Sequence, residues 1–314
     1  MSDPAWLRTK QAAGNAKDWV VVRLRSMSEG KSTPSAIIRL VTSAIGYISS
    51  IFAFSVLLKD LAGFDGAEEL CKQHWRCLII VGLLASLVHN RAQISCKGAM
   101  AGDDFQVEVR VSDLFDVGAS SFVIPTNTYF HTKMDGEYIS PQSVQGAFQI
   151  RYFGGKTDEL DKLIDDNLSQ QGVAGADGRG TRESPKRYPV GTVAKVDHSG
   201  KHYYFVAVND VNRYGKPKNQ EYANVETALR GLIKAVNTIG HCDDLVMPLI
   251  GTGRAAIREA TLERVVRETI DMFLRSNDKT CSKLIICIRP KDYLEGRVDM
   301  VRIQTLIDYK CLFR

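Results

Sequence analysis

Hydrophobic positions come in unbroken runs within the first hundred residues of this chain, and beyond them they alternate with polar ones. From Leu40 to Leu58 the sequence reads LVTSAIGYISSIFAFSVLL with no charged side chain. At about 1.5 Å per helical residue it covers roughly the 30 Å hydrocarbon core of a bilayer. Arg39 precedes the run, and Lys59 and Asp60 follow it, where headgroups and water would solvate them. A second run, Cys77 to Val88, is shorter. It predicts a short span if Arg76 and Arg91 reach outward to the headgroups, and its length fits a buried core helix equally well. Together the runs predict an N-terminal transmembrane helical hairpin over residues 36–93, preceded by a basic segment over 1–35. Two apolar helices inside a soluble helical domain are the alternative, and dependence on detergent separates the two readings.

Lysine and arginine set the expected orientation. Arg8, Lys10, Lys17, Arg23, Arg25, Lys31 and Arg39 precede the first run, Arg91 and Lys97 follow the second, and acidic GFDGAEEL lies between. The positive-inside tendency then places both flanks in the cytoplasm, at the inner (cell) membrane. Lys-Asp after the first run, where a small-residue site would stand, argues against a cleaved signal peptide. Trp6 and Trp19, among basic and apolar residues, read either as an interfacial segment or as part of a basic arm.

After a glycine-containing linker over 94–103, the pattern becomes that of an α/β domain over 104–314. FQVEVRV (Phe105 to Val111) alternates as a half-buried strand does, and SSFVIP (Ser120 to Pro125) reads as a buried one. Further strands are predicted at Val190 to Val196, His202 to Asn209, Asp244 to Ile250 and Lys283 to Ile288. Helices are predicted near Thr157 to Gln170, Asn224 to Ile239, Arg258 to Arg275 and Val298 to Ile307. Such alternation implies a mixed sheet covered on both faces, with ligands held beyond the carboxyl ends of the strands.

Composition changes this picture little. With 44% hydrophobic and 25% charged residues the 314-residue chain has ordinary globular usage, which conceals the apolar runs. The net charge of +5 is dispersed, so no nucleic-acid partner is expected. The 7 cysteines include no C-x-x-C pair and no ligand-spaced histidines, which predicts free thiols in a reducing compartment and no metal site.

Two loops after strands carry candidate chemistry. PTNTYF (Pro125 to Phe130) breaks a strand at Pro125 and offers Asn127, whose amide both donates to and accepts from sugar hydroxyls. GTGRAA (Gly251 to Ala256) lies between a strand and a helix. Glycines there let backbone approach an anion, and the next helix presents unpaired N–H groups to phosphate oxygens. A purely structural glycine turn is the other reading.

In order along the chain, these pieces resemble the macro domain, an ADP-ribose-binding three-layer α/β/α sandwich, from about Asp104 to Arg314. Ser112-Asp113-Leu114 resembles that family's Gly-Asp-Ile turn, which implies that Asp113, with Leu114 and Phe115, reads adenine. SSFVIPTN resembles the strand ending in an asparagine at the distal ribose, YPVGTVAKV and HYYFVAVND resemble the paired central strands, and PLIGTGRAA resembles the second phosphate loop. That loop implies ligand contacts from Gly251, Thr252, Gly253, Arg254 and Ala255; the lengthened first loop adds Ser143 and Gly146. Ile124 replaces the first asparagine of the family's strand-end motif, and TYFHTKMDGEYISPQSVQGAF replaces its glycine run. Hydrolytic members orient a water with those positions, so the departures favour binding without catalysis. His131, Asp135 and Glu137 are the acid–base candidates for the alternative, a membrane-tethered hydrolase of ADP-ribose derivatives.

ISPQSVQGAF (Ile139 to Phe148), PVGTV (Pro189 to Val193) and GTGRAA, behind two membrane runs, are similar to the type II effectors of the Thoeris antiphage system. That resemblance implies a partner with a TIR domain that makes histidine-linked ADP-ribose from NAD. It further implies no cofactor beyond that ligand, homo-oligomerisation on activation, and damage to the lipid bilayer.

Overall fold

The computed structural model describes residues 17, 21–22, 33–64, 66–89, 94–100, 104–134, 138–177, 186–212, 214–218, 220–239, 242–253, 257, 259–276 and 280–312. The chain divides into two compact units: Trp19–Ile94, and Ser95–Arg314 together with Met1–Asp18. The segment carrying Trp6 and Trp19 lies outside the described residues.

In the smaller unit, α1 (Thr33–Ala62) is followed by α2 (Gly66–Gln73) and α3 (Trp75–His89). Within α1, Leu40–Ala62 (23 residues) is long and apolar enough to cross a membrane, and little of it is buried. α2 and α3 reach that length and apolarity only together, and they are bent by 82°. At 15 residues α3 measures about 22 Å, less than a hydrocarbon core. The second predicted span is therefore a short helix behind a bend. α3 packs on α1 through polar contacts: Ser86 donates to the Leu40 carbonyl (2.7 Å), and its hydroxyl lies 2.6 Å from that of Ser43. Ile45, Phe54, Leu57, Ile80, Leu84 and Val88 remain exposed. At the turn, Lys72 and Lys59 hold the Glu68 carboxyl down at about 2.

The larger unit is built on a sheet in the order β1 (Ser95–Ala99), β2 (Gln106–Val111), β10 (Cys281–Ile288), β9 (Cys242–Pro248), β3 (Ser121–Asn127), β7 (Lys201–Val211), β6 (Val193–His198). β8 (Pro217–Lys218) pairs with β7, and β4 (Ala176–Asp177) and β5 (Lys186–Arg187) form a separate ribbon. β2, β10, β9, β3 and β7 are parallel, whereas β1 and β6 run antiparallel to their neighbours, giving a mixed sheet. The carboxyl ends of the five parallel strands therefore share one edge.

Period-2 alternation along β7 explains the layers. Tyr203, Phe205 and Ala207 pack with Phe148 of α4 (Val144–Phe153) and with Leu160, Ile164 and Leu168 of α5 (Asp158–Gln170). Tyr204, Val206 and Val208, equally buried, face the opposite side. There α6 (Tyr222–Ile239) packs on β7, α7 (Leu262–Arg275) on α6, and α9 (Met300–Leu312) on β1. α8 (Pro290–Leu294) follows β10.

Two expectations change. The segment over 94–103 is not simply a linker, because Ser95–Ala99 extends the sheet by pairing with β2. The lengthened loop is not wholly irregular, because its end is helix α4.

β1, β2 and β10 converge on a buried carboxylate. Glu108, its side chain 3% exposed, sits 2.9 Å from Lys283, 3.6 Å from Arg110 and 3.8 Å from Lys97, and accepts from Ser95 at 3.0 Å. Burial opposes its charge, yet the Lys283 bond, Ser95 and Lys97 outweigh burial and hold the carboxyl below its ordinary range. A carboxyl so depressed stabilises the fold fully above its unfolded pKa, and the contribution is lost as pH falls through the folded value. Glu108→Gln should therefore cost about 1–3 kcal/mol at neutral pH. Its denaturation midpoint should converge with the parent's in acid. A constant gap at every pH would contradict this account.

Candidate ligand site

A cavity of about 490 Å³ lies over the carboxyl ends of β10, β9, β3 and β7, within the size range of small-molecule sites. Its walls come from the strand ends and from the loop segments that follow them.

At the end of β3, Asn127 lines the cavity while remaining 6% exposed. Its Oδ1 accepts from the backbone N–H groups of Tyr129 (3.0 Å) and His131 (3.4 Å) and lies 3.1 Å from His131 Nδ1. The amide oxygen thus closes the loop, and the amide nitrogen is the part left for donation to a ligand. His131 is buried between Tyr129 and Tyr138, with ring centroids 5.3 and 4.2 Å away, and does not line the cavity. Asp135 and Glu137 lie outside the described residues.

α4 fixes the rest of this loop. Gln145 donates to the His131 carbonyl (2.7 Å) and Gln149 to that of Thr132 (2.6 Å). Ser143 caps the helix: its hydroxyl donates to the Ser140 carbonyl (2.7 Å) and accepts from Gly146 N–H (3.0 Å). Ser143, Val144 and Gln145 line the cavity and so bring the helix N-terminus to it. Gly146 does not. Its N–H is spent on the cap, and a Cβ there would run into Ser140 O, so the position serves close packing of the loop on the helix.

Beyond β9, Gly251, Thr252 and Gly253 line the cavity. Gly251 has φ +83° and a Cβ would meet Val225 at 2.7 Å, so the turn requires glycine. Thr252 donates to the Leu249 carbonyl (2.9 Å). Arg254 and Ala255 lie outside the described residues.

Asp113, Leu114 and Phe115 do not line the cavity. Asp113 caps a short 3-10 turn by accepting from Phe115 N–H (2.9 Å), and Leu114 and Phe115 are buried in the core. The turn still adjoins the site: Ser112 N–H donates to Ile288 O (3.0 Å), and its hydroxyl donates to Cys287 Sγ (3.4 Å) in the cavity wall. Burial pushes the Cys287 thiol up to about 12, which leaves it neutral.

Sequence reasoning missed Asn209 at the end of β7, Tyr138 and Ile139 in the loop, and Arg289 with Asp292 after β10. The Arg-Pro break that ends the last strand was the signal available for Arg289. Among the described residues, Cys71, Cys77, Cys96, Cys281, Cys287 and Cys311 take part in no disulfide.

A mixed sheet covered by helices on both faces, with a strand-end cavity walled by an asparagine loop and a glycine turn, defines a macro-type α/β domain. The sequence profile of the Thoeris protein ThsA macro domain matches residues 107–289, more than half of the chain, and the chain belongs to that family. The Thoeris protein ThsA of Bacillus amyloliquefaciens (strain Y2) is 26% identical over 181 residues, which cover 56% of this chain and 56% of that protein. The match thus spans about half the length of that relative. Among solved structures, a single-substitution mutant of the Oceanobacillus iheyensis macrodomain with ADPR is similar with a TM-score of 0.46 and 13% identity, covering 68% of this chain and 99% of its own. The macrodomain of Thermus aquaticus DarG is similar with a TM-score of 0.37 and 10% identity, covering 58% and 97%.

Proposed function

We propose that this chain is a membrane effector of antiphage defence whose macro domain binds an ADP-ribose-type signal, histidine-linked ADP-ribose made by a TIR-domain partner. The observation that carries this reading is the cavity itself, which in a chain of the Thoeris ThsA macro family joins Asn127, the capped start of α4 and the Gly251–Gly253 turn around one volume. In this reading the Asn127 amide nitrogen donates to the distal ribose. Backbone N–H groups at the start of α4 and in the glycine turn, continued by Arg254 and Ala255, hold the diphosphate. Asp113, one strand beyond β10, accepts from the adenine amino group beside the backbone of Leu114 and Phe115.

α1, and α3 behind its bend, anchor the chain in the inner membrane, with the macro domain and the preceding basic segment cytoplasmic. Their exposed apolar faces support a lipid environment, since a soluble unit seldom leaves such contiguous apolar surface open. Signal binding favours a self-associated state, and the helices then rearrange and disrupt the bilayer. This requires a ligand with higher affinity for the associated form.

The alternative is a tethered ADP-ribose-derivative hydrolase. We read the chain as a binder because His131, the described acid–base candidate, is held in a ring stack outside the cavity wall. Saturating ADP-ribose or its histidine adduct should raise the melting temperature of the detergent-solubilised chain by about 5 °C. The adduct should also increase its oligomer size. An unchanged melting temperature with both compounds would remove the binding function, and release of products would turn the assignment to the hydrolase.

A further inference from the structure

Among the described residues the sheet ends on β1 at one side and on β6 at the other, and both strands are antiparallel to their inner neighbours. In an antiparallel pair alternate residues turn their backbone N–H and C=O groups toward the partner strand, and the residues between turn theirs outward. Met100 N–H donates to Phe105 O (3.0 Å), so Gly98 and Cys96 bond toward β2, and Lys97 presents its groups on the outer side. Ala207 N–H donates to Thr192 O (2.9 Å), so by the same count Val193 and Lys195 face outward from β6.

Side-chain amides meet these outward groups at both edges. On β1, Gln304 of α9 accepts from Lys97 N–H at 3.2 Å and donates to Lys97 O at 3.1 Å. On β6, Asn167 of α5 accepts from Lys195 N–H at 2.8 Å, and Gln171, just past the end of that helix, donates to Val193 O at 3.2 Å. Each arrangement is steadied by a residue four positions away: Gln304 Nε2 donates to Asp308 Oδ1 at 2.7 Å, and Gln171 Nε2 to Asn167 Oδ1 at 2.6 Å. Satisfying the backbone does not by itself call for this, because Lys97 is exposed and water would serve its groups. What a helix-held amide adds is exclusion, since it occupies the donor and acceptor that an incoming strand would use. An outward edge is otherwise a template for another chain, and copies that share one bilayer, as proposed above, would meet often.

We infer that the Gln304–Asp308 and Asn167–Gln171 pairs close the two sheet edges against strand pairing with a second copy of this chain. They thereby keep the macro domains apart until a signal arrives. Sedimentation of the full detergent-solubilised chain, with no ligand added, tests this, with thermal melts as the folding control. Gln304→Ala and the double variant Asn167→Ala/Gln171→Ala should each self-associate at about tenfold lower protein concentration than the parent, with melting temperatures within a few degrees of it. Proline is tolerated at an edge position whose N–H points outward, and it gives an incoming strand no donor. Lys97→Pro beside Gln304→Ala, and Lys195→Pro beside the double variant, should therefore restore the parent's behaviour. Parent-like sedimentation of both uncapped variants, or association that persists with the prolines, would overturn the inference. Association in one uncapped variant alone would overturn it for the other edge, and association seen only with a lost thermal transition would assign the amides to stability instead. Because no ligand enters the experiment, failure of ADP-ribose to bind would count against the proposed function and not against the closed edges.

Discussion

Asn127→Asp should abolish ADP-ribose binding, by about a hundredfold or more, while leaving the melting temperature within a few degrees of the parent. The two atoms of the Asn127 amide have separate duties. Its oxygen accepts from Tyr129 N–H, His131 N–H and His131 Nδ1, and a carboxylate accepts from all three at least as well. The nitrogen is what faces the ligand in the proposed function, and aspartate removes that donor while placing a negative charge beside a diphosphate. Asn127→Ala is the contrasting change, since it also releases the loop and should lower stability. Calorimetric titration beside a thermal melt checks both. Undiminished affinity in Asn127→Asp would mean that the side chain serves only the loop.

Gly146→Ala should cost about 2–3 kcal/mol and lower the melting temperature by roughly 5–10 °C, with loss of ligand binding. The new methyl would lie 2.1 Å from Ser140 O and 2.8 Å from Pro141 Cα, both backbone atoms that cannot swing aside. Relief requires the Ser140–Ser143 turn to move, and that turn is cavity wall. Ser143→Ala should cost only about 1 kcal/mol, the ordinary value of a helix cap. Gly253→Ala, where an added methyl meets nothing within 4 Å, should leave the midpoint unchanged. Circular dichroism melts of the three variants in one detergent decide the matter, and equal loss in all three would sink the steric account.

Much of the sheet was legible because its strands carry their own signal. FQVEVRV alternates and appears as β2, and HYYFVAVN appears within β7 with its two faces serving different helix layers. The loop at Gly251 was legible because glycine follows the end of β9, whereas the break expected at Pro125 does not occur there: Pro125 pairs with Val206 inside β3, which runs on to Asn127. β1 was not legible, because SCKGA has no run of apolar side chains and owes its conformation to pairing with β2. α4 was hidden in a loop read as an insertion, although Ser143 is a helix cap and Val144 and Phe148 follow it at helical spacing; burial of Gln145, Gly146 and Gln149 as well leaves it no clear polar face.

Site residues divided along similar lines. Expected residues that follow their own strand end, Asn127 and Gly251–Gly253, do line the cavity, whereas lining residues whose setting depends on distant partners were not anticipated. Arg289 acquires its fixed orientation only once Asp292 and Arg297 gather around it. Gly146, expected at the ligand, packs under Ser140 and does not line the cavity, a contact visible only after the loop closes on the helix. The short length of α3 was visible from the outset; its bend from α2 was not, since a turn between two helical stretches leaves no apolar period to count.

An amide is a conjugated group, so its two ends do not act independently. Any acceptor that draws on the Asn127 nitrogen shifts electron density toward the oxygen and strengthens the bonds that the oxygen already receives from Tyr129 and His131. Filling the cavity would then tighten a stretch of chain that the ligand itself need never touch. Under the proposed function, a single planar side chain would in this way be both the grip on the guest and the wire that reports its arrival.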